Sequence, residues 1–221
     1  MRLQRVKQIE IPHCDELATI SDLGRVSLYL DAQEEKSIDI LSWPEYAYKP
    51  DITFSMAHSG DCIFIKFKVI EKAIQAHNRQ NNSQVSEDSC VEFFVSLEGG
   101  DEYYNFEFNC IATCKAAFGP KDRKQRTYLP DDVIDRIRRQ AVIRKGGQSP
   151  ADLVTWDLTV SIPAEAFCYH DITSFKGLHG SANFYKCGDK LPEPHFLAWN
   201  EVRAPRPDFH LPEFFGKILF L

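Results

Sequence analysis

The chain has 221 residues, enough to bury one sizeable core, and a β-sandwich of that length need not divide into two domains. Its formal net charge of -6 and isoelectric point near 5.7 do not supply the basic face that a phosphate-backbone binder needs for counterion release, which argues against nucleic acid as a partner. No apolar run approaches the roughly 20 residues of a membrane span, so no bilayer-crossing helix is expected.

Residues 1–11 (MRLQRVKQIEI) carry basic side chains but neither a continuous apolar stretch nor a small-residue cleavage site. As written, the chain reads as soluble and without an export signal. The cytoplasm is the expected compartment, with the periplasm or the outside of the cell reserved for a trimmed native N-terminus. Residues 25–30 read as a strand candidate and Glu34-Glu35-Lys36 as a solvated turn. Residues 53–58 and 62–69 form two strand-like runs around Ser59-Gly60-Asp61, the pattern of a hairpin. In the second run Ile63, Ile65, Phe67 and Val69 share one face, and Phe64, Lys66 and Lys68 the other. Residues 71–86 include AHNRQNNSQ, too polar for core, and are expected to form an exposed loop able to rim a site.

Strand pattern returns with Val91, Phe93, Val95 and Leu97 on one face and Glu92, Phe94 and Ser96 on the other. After the turn Glu98-Gly99-Gly100-Asp101, Tyr104, Phe106 and Phe108 resume the apolar face. The opposite row, Tyr103, Asn105, Glu107 and Asn109, combines phenol, amides and carboxylate, all able to hydrogen-bond a ligand. Residues 130–145 (PDDVIDRIRRQAVIRK) read as the one helix, with acids at its start, bases at its end, and Val133, Ile134, Ile137 and Val142 as its stripe; Gly146-Gly147 ends it. Its basic cluster reads as a solvated face. Trp156, Leu158, Val160 and Ile162 alternate in a further strand stopped by Pro163, and residues 183–187 and 217–221 complete the set. The expected fold is all-β: one domain over 1–221, an antiparallel β-sandwich of immunoglobulin-like or jelly-roll-like form with one peripheral α-helix.

Seven cysteines, Cys14, Cys62, Cys90, Cys110, Cys114, Cys168 and Cys187, include no CxxC pair. They read as reduced structural thiols, with Cys110 and Cys114 keeping a minor metal or redox alternative. His195 and His210, in a proline-rich stretch with Asp208 and Glu213, lack a spacing that fixes them in one coordination sphere, so loop packing is the preferred reading.

Several segments together resemble carbohydrate-binding module family 9 and its stand-alone relatives. They are Asp88-Ser89-Cys90-Val91-Glu92-Phe93-Phe94-Val95, Tyr104-Asn105-Phe106-Glu107-Phe108-Asn109, residues 156–163, Ala182-Asn183-Phe184-Tyr185, and the run from Trp199 to Gly216 that contains Phe209-His210-Leu211-Pro212-Glu213-Phe214-Phe215. The resemblance is clearest over 52–221. It implies a sandwich that binds a saccharide or glycoside without catalysis, in carbohydrate catabolism and in the company of a glycoside hydrolase. By resemblance Glu92, Glu107, Asn109 and Asn183 supply polar ligand contacts, Tyr185 sits beside them, and Trp199 and Phe209 join the set. Founding members grip the sugar between two tryptophans. Here Gln84-Val85-Ser86-Glu87 and Phe209-His210 stand at those places, so the pair is lost and Phe209, Tyr103, Tyr185 or Trp43 are left to compensate. Relatives carry structural calcium, but no oxygen-rich loop marks one here, and no other cofactor is implied.

Trp156 falls on the core parity, whereas Trp199 suits either role. Two alternatives stay open. Glu92 and Glu107 on neighbouring strands would form the carboxyl pair of a glycoside hydrolase, although a polar sheet face should keep both ionised. Met56 with His58 nearby would be the axial candidates of a haem-binding sandwich.

Overall fold

The computed structural model describes residues 6–97, 99–145 and 153–221. In chain order the first half forms β1 (Gln8–Ile11), α1 (Leu23–Asp31), β2 (Lys36–Ser37), β3 (Ile40–Leu41), β4 (Asp51–His58), β5 (Cys62–Glu71), β6 (Cys90–Leu97) and β7 (Tyr103–Asn109). The second half adds β8 (Cys114–Gly119), β9 (Thr127–Tyr128), α2 (Asp131–Ile134), β10 (Arg138–Lys145), β11 (Val154–Pro163), β12 (His179–Cys187), β13 (Phe196–Ala198) and β14 (Gly216–Phe220).

Two sheets face each other. The larger has the order β1-β14-β12-β6-β7-β8-β9, with β13 and β3 attached beside β12; the smaller is β10-β11-β5-β4-β2. All pairings are antiparallel except β1 with β14. The alternating sets read from sequence explain the packing. Ile63, Ile65, Phe67 and Val69 of β5 and Trp156, Leu158, Val160 and Ile162 of β11 point inward from the small sheet. Val91, Phe93, Val95 and Leu97 of β6 and Tyr104, Phe106 and Phe108 of β7 meet them from the large one. Gly60, at φ 90°, supplies the left-handed residue of the β4–β5 turn.

The helices differ from expectation. Residues 25–30 are not a strand but part of α1, whose Asp22 side chain caps the Gly24 amide at 2.7 Å. Val26 and Leu30, four residues apart, are fully buried against Ala57 and Phe64 on the outer face of the small sheet, while Leu28 between them is 70% exposed. That is the helical period, not the strand period. The helix expected over 130–145 shrinks to the single turn α2. Val133, Ile134 and Ile137 do bury there, but Arg138 to Lys145 pair residue by residue with β11 as edge strand β10. Past Ile137 the helical stripe has only the adjacent Val142 and Ile143, both partly exposed, so a helix would bury little there and pairing with β11 satisfies the backbone instead. Gly146-Gly147, and Glu98 of the turn after β6, lie outside the described residues.

The outer face of the large sheet is not an open polar face. Phe94, Tyr103, Tyr185, Cys90 and Cys187 on its strands form a second apolar cluster with Trp43, Val85, Val202, Phe209 and Phe215 from covering segments. This second layer creates the site.

Candidate ligand-binding site

The register of four strands sets the floor. Tyr185 of β12 lies opposite Glu92 of β6, Glu92 opposite Glu107 of β7, and Glu107 opposite Lys115 of β8, forming one row on the outer face. Glu92 and Glu107 are almost completely buried in that row. Above it opens a cleft of about 410 Å³, lined also by Lys115, Cys187, Asp189, Phe196, Phe209, His210, Tyr46, Arg123 and Arg206.

The two carboxyl groups have unlike partners. Glu107 accepts from Asn105 Nδ2 at 2.8 Å and from Lys115 Nζ at 3.2 Å. Asn105 is in turn held by Arg126 at 2.6 Å, and that guanidinium lies 4.0 Å over the Tyr103 ring. Burial pulls the Lys115 ammonium down, but attraction to Glu107 and Glu92 outweighs this and leaves it above its ordinary value. Among the described residues Glu92 accepts from thiols, Cys187 Sγ at 3.2 Å and Cys90 Sγ at 4.0 Å. Desolvation first, then the neighbouring charge of Glu107, pushes the Glu92 carboxyl well above the ordinary glutamate value. The polar face expected around both carboxylates is not what surrounds Glu92, which is buried beneath covering loops and faces thiols. At the rim, desolvation first, helped by the charges of Glu107 and Glu87, raises the Asp189 carboxyl to about 6 against a hydrogen bond from Ser86.

One wall is aromatic. Phe209 stacks on Tyr185 with centroids 4.0 Å apart and planes 10° from parallel, and the Tyr185 hydroxyl donates to the Phe209 carbonyl. Trp43 and Phe196 back Phe209, and Tyr46 meets Phe196 edge-on. His210 is anchored by Tyr103 Oη at 2.7 Å, and Arg123 pairs with Asp208 at 2.8 Å.

Of the residues picked from sequence, Glu92, Glu107 and Phe209 line the cleft. Asn109, Asn183 and Tyr185 share their sheet face but are fully buried, so the expectation that all five strand residues reach solvent does not hold. Asn109 donates to Asn78 O and Asp88 Oδ2 and accepts from the amides of Ile111 and Thr113. Asn183 ties down the Asn200 backbone through both its amide and carbonyl groups. Tyr185 stands behind Phe209. Trp199 turns into the core, edge-on to Phe54 and Phe184 and against Gly216, where any Cβ would collide with its ring. Sequence reading missed Lys115, Cys187 and Asp189. Lys115 was reachable by register from Glu107; Asp189 lies in a loop and follows no period.

The remaining metal and haem candidates separate. His195 is buried beside Lys186 and Glu71, away from His210, and neither belongs to a metal-like cluster among the described residues. Cys110 and Cys114 are core thiols. Met56 is core, and both ring nitrogens of His58 are engaged, Nδ1 by the Gly60 amide and Nε2 by Leu221 O, leaving none for haem iron.

A crystal structure of a Bacteroides uniformis protein assigned as carbohydrate-binding shares 34% identity with the chain at a TM-score of 0.87, covering 98% of this chain and 100% of that one. A family 9 carbohydrate-binding module of Caldicellulosiruptor kristjanssonii in complex with glucose matches at a TM-score of 0.62 and 12% identity, covering 97% of this chain and 96% of that one. The complex of a module from the same organism with cellotriose gives 0.59 and 12%, covering 97% and 93%. No curated protein matched the chain. The model of carbohydrate-binding family 9 matches residues 26–220, nearly the whole of the sandwich, and the chain belongs to that family.

Proposed function

We propose that the protein binds a short saccharide, without catalysis, in the cleft floored by Glu92 and Glu107 and walled by Phe209. The carrying observation is the union of a buried polar row, Glu92, Glu107 and Lys115, with a stacked aromatic wall on one cleft of about 410 Å³. Hydroxyls need donors and acceptors fixed in place, and sugar C–H faces need a flat apolar surface; the cleft offers both. Its volume falls in the small-molecule range of about 300–1,000 Å³. Family membership and the sugar complexes of the two Caldicellulosiruptor structures support this reading. Its setting is saccharide breakdown, beside a glycoside hydrolase that releases the ligand. Calorimetry with mono- and oligosaccharides, glucose and cellotriose included, tests the reading. The best ligand should lose about 1–3 kcal/mol of affinity in Glu107→Gln and in Phe209→Ala. Absence of any saccharide binding, or unchanged affinity in both variants, would overturn it.

The unlike environments of Glu92 and Glu107 are the one feature that favours a hydrolase. Glycosidases, however, flank the scissile bond with their two carboxyls. Here both rise from adjacent strands of one floor and face any ligand from the same side. We therefore expect no turnover of chromogenic glycosides. Turnover abolished in both Glu92→Gln and Glu107→Gln, with folding intact, would replace binding by hydrolysis.

A further inference from the structure

Cys90 and Cys187 are direct cross-strand partners on β6 and β12, two residues along from Glu92 and on the same face. Among the described residues, Cys90, Glu92 and Cys187 are the group whose donor atoms all lie within 4.8 Å of one another. Glu92 is 3% exposed, and among the described residues its hydrogen bonds come from those two thiols, each of which also has a backbone carbonyl in reach, Val91 O for Cys90 and Ser86 O for Cys187. A thiol is a weak donor, so this carboxyl is poorly served by hydrogen bonding, in contrast to Glu107 with its amide and ammonium. The same three groups are a good donor set for a metal ion.

We propose that Cys90, Cys187 and Glu92 form a binding site for a thiophilic divalent ion of the zinc class. Two sulfurs and one oxygen suit zinc and disfavour calcium or magnesium, which take oxygen ligands. Bonds of about 2.3 Å to sulfur and about 2.1 Å to oxygen at a tetrahedral angle place sulfur and oxygen roughly 3.6 Å apart. The observed separations of 3.2 and 4.0 Å bracket that value, and the two sulfurs lie within 4.8 Å of each other. Cys187 and Glu92 line the cleft and give the ion an entry path, with Cys90 behind them. Three protein ligands leave a fourth position open towards the cleft for water. On binding, the ion displaces the two thiol protons, and any proton on Glu92, to solvent. Two thiolates, one carboxylate and a doubly charged ion leave one net negative charge, beside both Glu107 and the cation Lys115, which act on Glu92 in opposite directions, Glu107 the more strongly. The site shares Glu92 and Cys187 with the saccharide cleft but does not rest on saccharide binding, because its test reads the metal directly.

The test uses the full chain, reduced and freed of metal by a chelator, titrated with zinc by equilibrium dialysis and with cobalt(II) by absorbance. One ion per chain, and cobalt bands showing thiolate charge transfer with tetrahedral ligand-field intensity, are expected. Cys90→Ser and Cys187→Ser should each weaken the affinity roughly tenfold or more, since even indirect supports of metal ligands cost about that much. Cys114→Ser and Cys168→Ser should leave it unchanged. Absence of binding, cobalt bands without thiolate character, or affinity retained in Cys187→Ser would overturn the site. So would a Cys90–Cys187 disulfide found by peptide mass mapping in protein purified without oxidant. The wild-type cobalt spectrum decides the question even where a serine variant fails to fold.

Discussion

Glu107 and Asn109 stand two apart on β7, on the same face, and their side chains have opposite fates. Glu107 lines the cleft, whereas Asn109 spends its donor and acceptor on four hydrogen bonds that pin the loops around Asn78, Asp88 and Thr113. Removing it leaves the Ile111 and Thr113 amides without their side-chain acceptor and takes one of three hydrogen bonds from Asp88, which keeps the amides of His77 and Asn78. Asn109→Ala should therefore lower stability by about 1–3 kcal/mol in urea unfolding while leaving saccharide affinity of the folded protein within about 0.5 kcal/mol. A stable variant with impaired binding would return Asn109 to the ligand site. The period of two put Glu92, Glu107 and Asn109 on the polar faces of their strands, and the resemblance added Asn183 and Tyr185; the register of β12, β6 and β7 brings all five onto one face. The period could not tell which of them are consumed, because the consuming partners arrive from loops at Asn78, Asn200 and Phe209 that obey no period.

At the scale of elements, the strands were legible because each buries one face in a shared core, so burial and alternation coincide. The segments that misled are amphipathic at either period. Val26, Leu28 and Leu30 alternate as a strand would, yet only Val26 and Leu30 bury, across one helical turn onto Phe64. The stretch after Ile137 was decided by an event far away in sequence, the arrival of β11 as a pairing partner. Truncation can separate the two periods. Leu30→Ala should cost about 2–5 kcal/mol, whereas Leu28→Ala should stay within about 0.5 kcal/mol. Equal losses measured by denaturant unfolding would contradict the helix.

Across the whole molecule the sheets are joined by more than apolar contact. Glu71 of β5 accepts from Trp156 Nε1 of β11 at 2.6 Å, and its other oxygen lies 3.0 Å from Lys186 Nζ of β12, close enough to pair though not aligned as a hydrogen bond. Lys186 donates to His195 Nε2 at 2.8 Å, and His195 Nδ1 donates to Glu193 O, which fixes a neutral ring. All of Glu71, Lys186 and His195 are fully buried. Lys186→Met should cost about 3–5 kcal/mol, because it leaves Glu71 charged and unpaired between the sheets.

The same cluster gives the fold a pH dependence whose sign follows from His195. Burial, and then the charge of Lys186, hold its imidazole at about 3, below the ordinary value of 6.5. Between those two values the unfolded chain binds a proton that the folded chain does not, so acid favours unfolding. Stability from this group is complete above about 6.5 and is lost as pH falls towards about 3, by up to ~1.4 kcal/mol per pH unit. His210, lowered by burial and by nearby Arg123, Arg126 and Lys115, acts in the same direction. Gln at position 195 can still accept from Lys186 but does not titrate. Urea unfolding of wild type and His195→Gln across this range should give curves that converge as pH falls, the variant being the less stable at neutral pH and the less acid-sensitive. Parallel curves would mean that the buried imidazole already carries its proton in the folded state, against the geometry in which Lys186 donates to it.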